Sequence, residues 1–149
     1  MTEKKLMNGV RAFLDTNIFV YLYSETELQK CARISSMINT YHRVVSTQVL
    51  NEFCNVCIRK IKLPTLFIRD AVEEICETCE LLEVKDLTIL KALDVHKKYR
   101  YAYYDSLIIA SALEHDCQYL LTEDMADGQV IEGRLTIQNI FANDCHPTN

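Results

Sequence analysis

Val10-Arg11-Ala12-Phe13-Leu14-Asp15-Thr16-Asn17 decides how the rest of the chain is read. Its first five residues form an apolar run of strand length, and Asp-Thr-Asn ends it with turn and helix-capping chemistry. The run that follows, Ile18-Phe19-Val20-Tyr21-Leu22-Tyr23, suits either a buried strand or a short helix. The capping residues favour the helix, which leaves the end of the strand free.

The same alternation recurs downstream. Leu28, Cys31, Ala32, Ile34, Ser35 and Ile38 keep helical spacing up to Asn39. Arg43-Val44-Val45-Ser46 reads as a strand and Thr47 to Lys60 as a helix. Pro64 and Thr65 open a helix with a continuous stripe of Ile68, Ala71, Val72, Ile75, Cys76 and Cys79. Leu81-Leu82-Glu83-Val84-Lys85 reads as a strand, and Asp86 can cap a helix carrying Leu87, Leu90, Leu93 and Val95. Asp105 to Glu114 is a further helix, with Tyr119-Leu120-Leu121-Thr122 and Leu135-Thr136-Ile137 as the last strands. Short apolar strands alternating with helices predict an α/β fold, a parallel sheet covered on both faces.

The 149 residues are the length of one domain, and 49% hydrophobic with 25% charged residues is an ordinary globular balance. Three Gly and two Pro leave no material for a long linker. One domain over 1–149 is expected, with its core at about 10–141. The segment 1–9 is too polar for a signal peptide, and no apolar run approaches membrane-spanning length. Seven cysteines, an odd count, then fit a reducing cytoplasm and no membrane partner. The formal charge of −5 argues against a general electrostatic grip on nucleic acid, while leaving room for carboxylates that hold cations.

Four acidic residues stand out. In a parallel α/β sheet ligands sit beyond the carboxyl ends of the strands. Asp15 follows the first strand, Glu52 lies a turn into the helix after the second, and Asp124 follows Tyr119–Thr122. Asp105 heads a helix whose Ile108, Ile109, Ala112 and Leu113 form an inward stripe, so its carboxylate is costly to desolvate without a partner. Each acid alone has an ordinary explanation: Asp15 and Asp124 as caps or turn residues, Glu52 as a solvated flank, Asp105 as the cap of a helix that starts late. Together they predict one acidic site.

Two such charges at about 4 Å repel by about 4 kcal/mol at an effective dielectric of 20. Converging carboxylates therefore need protons or a cation, and hard oxygen donors suit Mg²⁺ or Mn²⁺. Such an ion can activate water against a phosphodiester. No nucleophilic triad or phosphate-cradling loop competes, so the residues point to metal-dependent phosphoryl transfer.

Four segments carry a resemblance. Phe13-Leu14-Asp15-Thr16-Asn17, Val49-Leu50-Asn51-Glu52-Phe53, Tyr104-Asp105-Ser106-Leu107-Ile108-Ile109-Ala110-Ser111-Ala112 and Leu121-Thr122-Glu123-Asp124-Met125 resemble, in order, the signature segments of PIN-domain ribonucleases. At this length the chain looks like a VapC-type toxin of a toxin–antitoxin pair. The resemblance implies a central five-stranded parallel sheet flanked by helices, and Mg²⁺- or Mn²⁺-dependent endonucleolytic cleavage of single-stranded RNA or exposed RNA loops. It implies Asp15, Glu52 and Asp105 as catalytic metal ligands and Asp124 as the fourth, more variable acid, with Asp127 near enough to replace it. Thr16, Asn17 and Thr122 would orient those acids. It also implies a homodimer inhibited by a cognate antitoxin. The alternative is a catalytically silent PIN-like module that only binds RNA or protein.

Other signals are weaker. Cys54-x-x-Cys57 and Cys76-x-x-Cys79 match a four-Cys zinc spacing, but they fall within predicted helices on apolar stripes, where buried thiols are ordinary. His42, His96, His115 and His146 are unpaired in sequence and read as surface residues. Arg59, Lys60, Lys62 and Arg69, with Lys97, Lys98 and Arg100, suit either an RNA path or solvated helix ends. Of Tyr99, Tyr101, Tyr103 and Tyr104, two or more are expected to be packed rather than open to bases. A response-regulator receiver would need paired acids after the first strand, and a haloacid-dehalogenase-type phosphatase an Asp at the position of Asn17; neither is present.

Overall fold

The computed structural model describes residues 9–142. The elements run β1 (Val10–Leu14), α1 (Thr16–Leu22), α2 (Leu28–Ile38), β2 (Tyr41–Ser46) and α3 (Thr47–Val56), the last extended by a π-helical turn, Cys57–Ile61. There follow α4 (Thr65–Thr78), β3 (Glu80–Leu82), α5 (Asp86–Tyr99), α6 (Tyr103–Glu114), β4 (Tyr119–Leu121), β5 (Val130–Ile131) and β6 (Leu135–Gln138). Most of 1–9 and His146 lie outside the described residues.

The sheet order is β3-β2-β1-β4-β6-β5. The first five strands pair in parallel, and β5 adds an antiparallel edge, so the expected five-stranded parallel sheet gains a sixth strand. Successive residues Ala12, Phe13 and Leu14 are all fully buried, as are Val44 and Val45, so both faces of the central strands are covered. β1 lies between β2 and β4, with Phe13 opposite both Val44 and Leu120. That register puts the ends of β1 and β4 side by side, and the Asp15 N–H donates to the Leu121 carbonyl (3.0 Å).

Two expectations need correction. The strand read over Leu81–Lys85 ends at Leu82, because β2 stops at Ser46, its last partner there. Past that point the Val84 N–H turns to the Thr47 hydroxyl instead (3.3 Å). Helix α6 has no single inward stripe: every residue from Ser106 to Leu113 is buried. On its second face Ala92 of α5 packs against Leu107 and Ala110.

At the opposite end of the sheet from Asp15, the Arg11 guanidinium donates to the His115 carbonyl and to Glu80 (both 2.9 Å). His42 stands 2.8 Å from the same Glu80 carboxylate and is largely buried, which corrects its reading as a surface residue. Burial opposes the Glu80 charge, yet the hydrogen bonds from His42 and Arg11 prevail and hold its pKa below the usual range.

Candidate metal centre

Asp15 is the N-cap of α1. Its Oδ1 accepts the Thr16 N–H (2.7 Å) and its Oδ2 accepts the Thr122 hydroxyl (2.8 Å). The capping and site readings therefore describe the same two oxygens, each of which keeps acceptor capacity beyond its one hydrogen bond. Asp15 is 5% exposed, and burial raises its pKa to about 6 against those two hydrogen bonds, with the charges of Asp105 and Glu52 adding to the rise.

Glu52 is carried by α3, which starts where β2 ends; the Ser46 hydroxyl caps it by accepting the Val49 N–H (3.4 Å). Its carboxylate accepts the Thr16 hydroxyl (2.8 Å) and the Gln48 amide (2.9 Å). Gln48 also donates to the Tyr104 carbonyl (3.1 Å), which ties α3 to the residue before Asp105. Asp105 is the third residue of α6 rather than its cap, in the first turn where the helix dipole favours negative charge. Burial first, then the charges of Asp124 and Glu52, raise its pKa.

Asp124 follows β4. Its carboxylate accepts the Asn17 amide (2.9 Å), and its N–H donates to the Thr122 hydroxyl (3.2 Å). Asp127 points elsewhere: its Oδ1 accepts the Asn139 N–H (2.8 Å), and it takes no part in the cleft. All four predicted acids, with Thr16 and Asn17, line one cleft of about 400 Å³.

The sequence reading assigned no role in the site to Glu123 or Gln48. Glu123 lines the cleft but is occupied by the Tyr21 hydroxyl and by Lys30 (2.8 Å). Burial disfavours its charge, yet these two donors hold its pKa low. Only the fold brings Lys30 to Glu123, whereas Gln48 sits four residues before Glu52 on one helix and was legible from spacing. Lys30→Met is expected to cost about 1 kcal/mol in urea unfolding, through a half-buried carboxylate left with one donor. Unchanged stability would show that Lys30 does not secure the loop after β4.

The donor set consists of hard oxygens facing one another across a cleft, with none of the four acids paired to a Lys, Arg or His among the described residues. Asn17 adds a buried Oδ1 with no hydrogen-bond partner. Among the described residues no three acidic, His or Cys side chains already form a metal cage. That donor chemistry fits a hydrated Mg²⁺ or Mn²⁺, which keeps several waters and takes few carboxylates directly.

The remaining sequence signals lie apart. Cys57 and Cys79 are buried in the core. The Tyr99 hydroxyl accepts the Glu132 N–H (3.0 Å) and Tyr101 bonds Gln129, so both rings pin the segment before β6. Tyr104 is exposed.

The PIN domain family model matches residues 12–126, a span that contains all four acids. No curated protein matches the chain. Among solved structures it is similar to a toxin–antitoxin complex from Klebsiella pneumoniae, at 16% identity over 87% of this chain and 97% of that one, TM-score 0.65. It is also similar to VapC20 of Mycobacterium tuberculosis, a sarcin–ricin loop cleaving toxin, at 13% identity over 73% and 86% of the two chains, TM-score 0.61. DNA-bound VapBC from Salmonella typhimurium matches at 18% identity over 86% and 98%, TM-score 0.60. With most of its length under the family model and its fold shared with these proteins, the chain belongs to the PIN domain family.

Proposed function

We propose that this PIN domain is a metal-dependent endoribonuclease, the toxin of a type II toxin–antitoxin pair, with Asp15, Glu52, Asp105 and Asp124 as the residues that hold Mg²⁺ or Mn²⁺. The observation that carries the reading is the convergence of these four carboxylates on one cleft at the carboxyl end of the parallel sheet. When bound, the ion supplies an activated water and offsets charge on the leaving oxygen of an RNA phosphodiester. The chain's own part is orientation. Thr122 and the Thr16 N–H fix Asp15, Thr16 and Gln48 fix Glu52, and Asn17 holds Asp124, so each carboxylate is tethered at the cleft.

The solved neighbours, a loop-cleaving toxin and complexes with antitoxins, support RNA as substrate and an antitoxin as partner. A homodimer is supported by the exposed Leu87, Leu90 and Leu93 of α5, an outward apolar strip suited to a second copy. Among the described residues no helix is long and apolar enough to cross a membrane. A cytoplasmic, single-domain protein over 1–149 completes the proposal.

The test is cleavage of total cellular RNA by the purified chain with Mg²⁺, with Mn²⁺ and with EDTA, beside Asp15→Asn. Discrete metal-dependent fragments, absent with the variant, are expected. Fragments that persist in EDTA would remove the metal mechanism, and no cleavage by the wild type would favour the silent module.

A further inference from the structure

Two lysines stand beside the acidic cleft, and the fold uses one of them. Lys30 donates to Glu123 (2.8 Å) and the Tyr21 hydroxyl (3.1 Å), with its ammonium 4.3 Å from the Tyr21 ring centroid. Lys60 is exposed and has no hydrogen-bond or ion-pair partner among the described residues. It is the one Lys or Arg among the described residues that line the cleft.

Its position depends on a change of helix type. Glu52, Val56 and Lys60 all line the cleft at successive four-residue steps. On a straight α-helix such a row drifts by about 40° per step, since 3.6 residues complete a turn. Continued α-helix would swing Lys60 well away from the Glu52 side. Over Cys57–Ile61 the chain adopts π-helical bonding instead, which rotates less per residue and offsets that drift. The turn is locked at its end, where the Leu63 N–H donates to the carbonyl of buried Cys57 (3.0 Å) and Lys62 takes the left-handed backbone (φ 59°). Turns of the π type are rare and are frequent at functional sites.

A cleft lined by carboxylates repels the polyanion it is read as cutting. A flexible ammonium at its rim offers three donors to a phosphate and reads no base. We propose that Lys60 anchors the substrate by contacting a backbone phosphate of single-stranded RNA beside the phosphate to be cleaved. The proposal rests on the nuclease reading.

The test measures binding of a fluorescein-labelled uridine homopolymer to the full-length Asp15→Asn chain by anisotropy, in EDTA so that no divalent ion bridges carboxylate and phosphate. Adding Lys60→Met is expected to weaken binding about fivefold at low salt and to lower the slope of log K against log salt by about 0.7, the value of one single-strand phosphate contact. Lys60→Arg is expected to keep most of the affinity. In the cleaving wild-type background, Lys60→Met is expected to raise KM similarly with kcat within about twofold, as for lost uniform binding. Equal affinity and slope with and without Lys60, or a loss that arginine does not restore, would overturn the proposal. Lys60-dependent binding by a chain that cuts no RNA would leave the contact standing and remove the nuclease reading. Cutting without any dependence on Lys60 would do the reverse.

Discussion

Asp15→Asn is expected to abolish RNA cleavage and, at the same time, to make the metal-free protein more stable at pH 7.5. The activity loss is at least about 100-fold, because the metal centre is assigned several kcal/mol of transition-state stabilisation. The stability gain follows from linkage. The carboxyl has a pKa of about 6 in the folded chain against 3.8 for the free group, so its ionisation is opposed by the fold. A group raised in this way favours the folded state fully below the unfolded pKa, and that contribution is lost as pH rises through about 6.

Two units correspond to roughly 3 kcal/mol as an upper figure. Asparagine keeps an acceptor for the Thr16 N–H and turns its amide to the Thr122 oxygen, which leaves the Thr122 proton without its acceptor and takes back part of the gain. The net gain expected is about 1–2 kcal/mol, or roughly 3–6 °C in Tm at this chain length. Thermal melts of both chains in EDTA at pH 7.5 and pH 5 check it. The gap is expected to shrink by about 1.4 kcal/mol at pH 5, where the folded carboxyl is mostly protonated while the unfolded one is still ionised, and any remainder fades as pH falls through 3.8. A gap of the same size at both values would show that Asp15 burial does not limit stability.

Phe53→Ala carries the largest expected stability loss, about 3–5 kcal/mol. Phe53 is fully buried directly after Glu52 on α3. Its ring meets Phe19 of α1 edge-on, with centroids 6.5 Å apart, and lies 5.6 Å from that of Tyr23. Truncation opens a cavity between the two helices whose polar link is Thr16 to Glu52. Against a usual domain stability of about 5–15 kcal/mol this is a large share. Urea unfolding is expected to show a lower midpoint at nearly constant m, with Phe53→Leu losing much less. Equal losses in the two variants would mean that ring volume does not hold α1 on α3.

The strand–cap–helix chemistry of Val10–Asn17, the change from strand to helix between Ser46 and Thr47 and the stripe of α4 were legible because each is settled within a few residues of the chain. Glu52, Asp105 and Asp124 could be placed at one sheet edge for the same reason, since parallel strands all end on one side. The antiparallel β5 was not legible. It is two residues long, and its pairing is made by the turn at Glu132 (φ 51°) and Gly133 (φ 68°), whose left-handed pair suits a tight hairpin. Nor did periodicity reveal that α6 is buried on every side, because Ser106 and Ser111 carry no hydrophobic signal and the cover that Ala92 of α5 gives Leu107 and Ala110 is made only in the fold.

By itself, then, the sequence determined the order of the helices and parallel strands, the α/β class and which acids end up beyond the strands, all consequences of local capping, spacing and burial. Tertiary structure alone decided how the cleft is charged. It put Asp124 in the cleft lining while giving Asp127 the Asn139 N–H, committed Lys30 to Glu123, and brought Lys60 to the cleft lining through one wide helical turn. Those outcomes depend on which groups arrive from opposite ends of the chain to take each hydrogen bond, and local spacing carries no record of that competition.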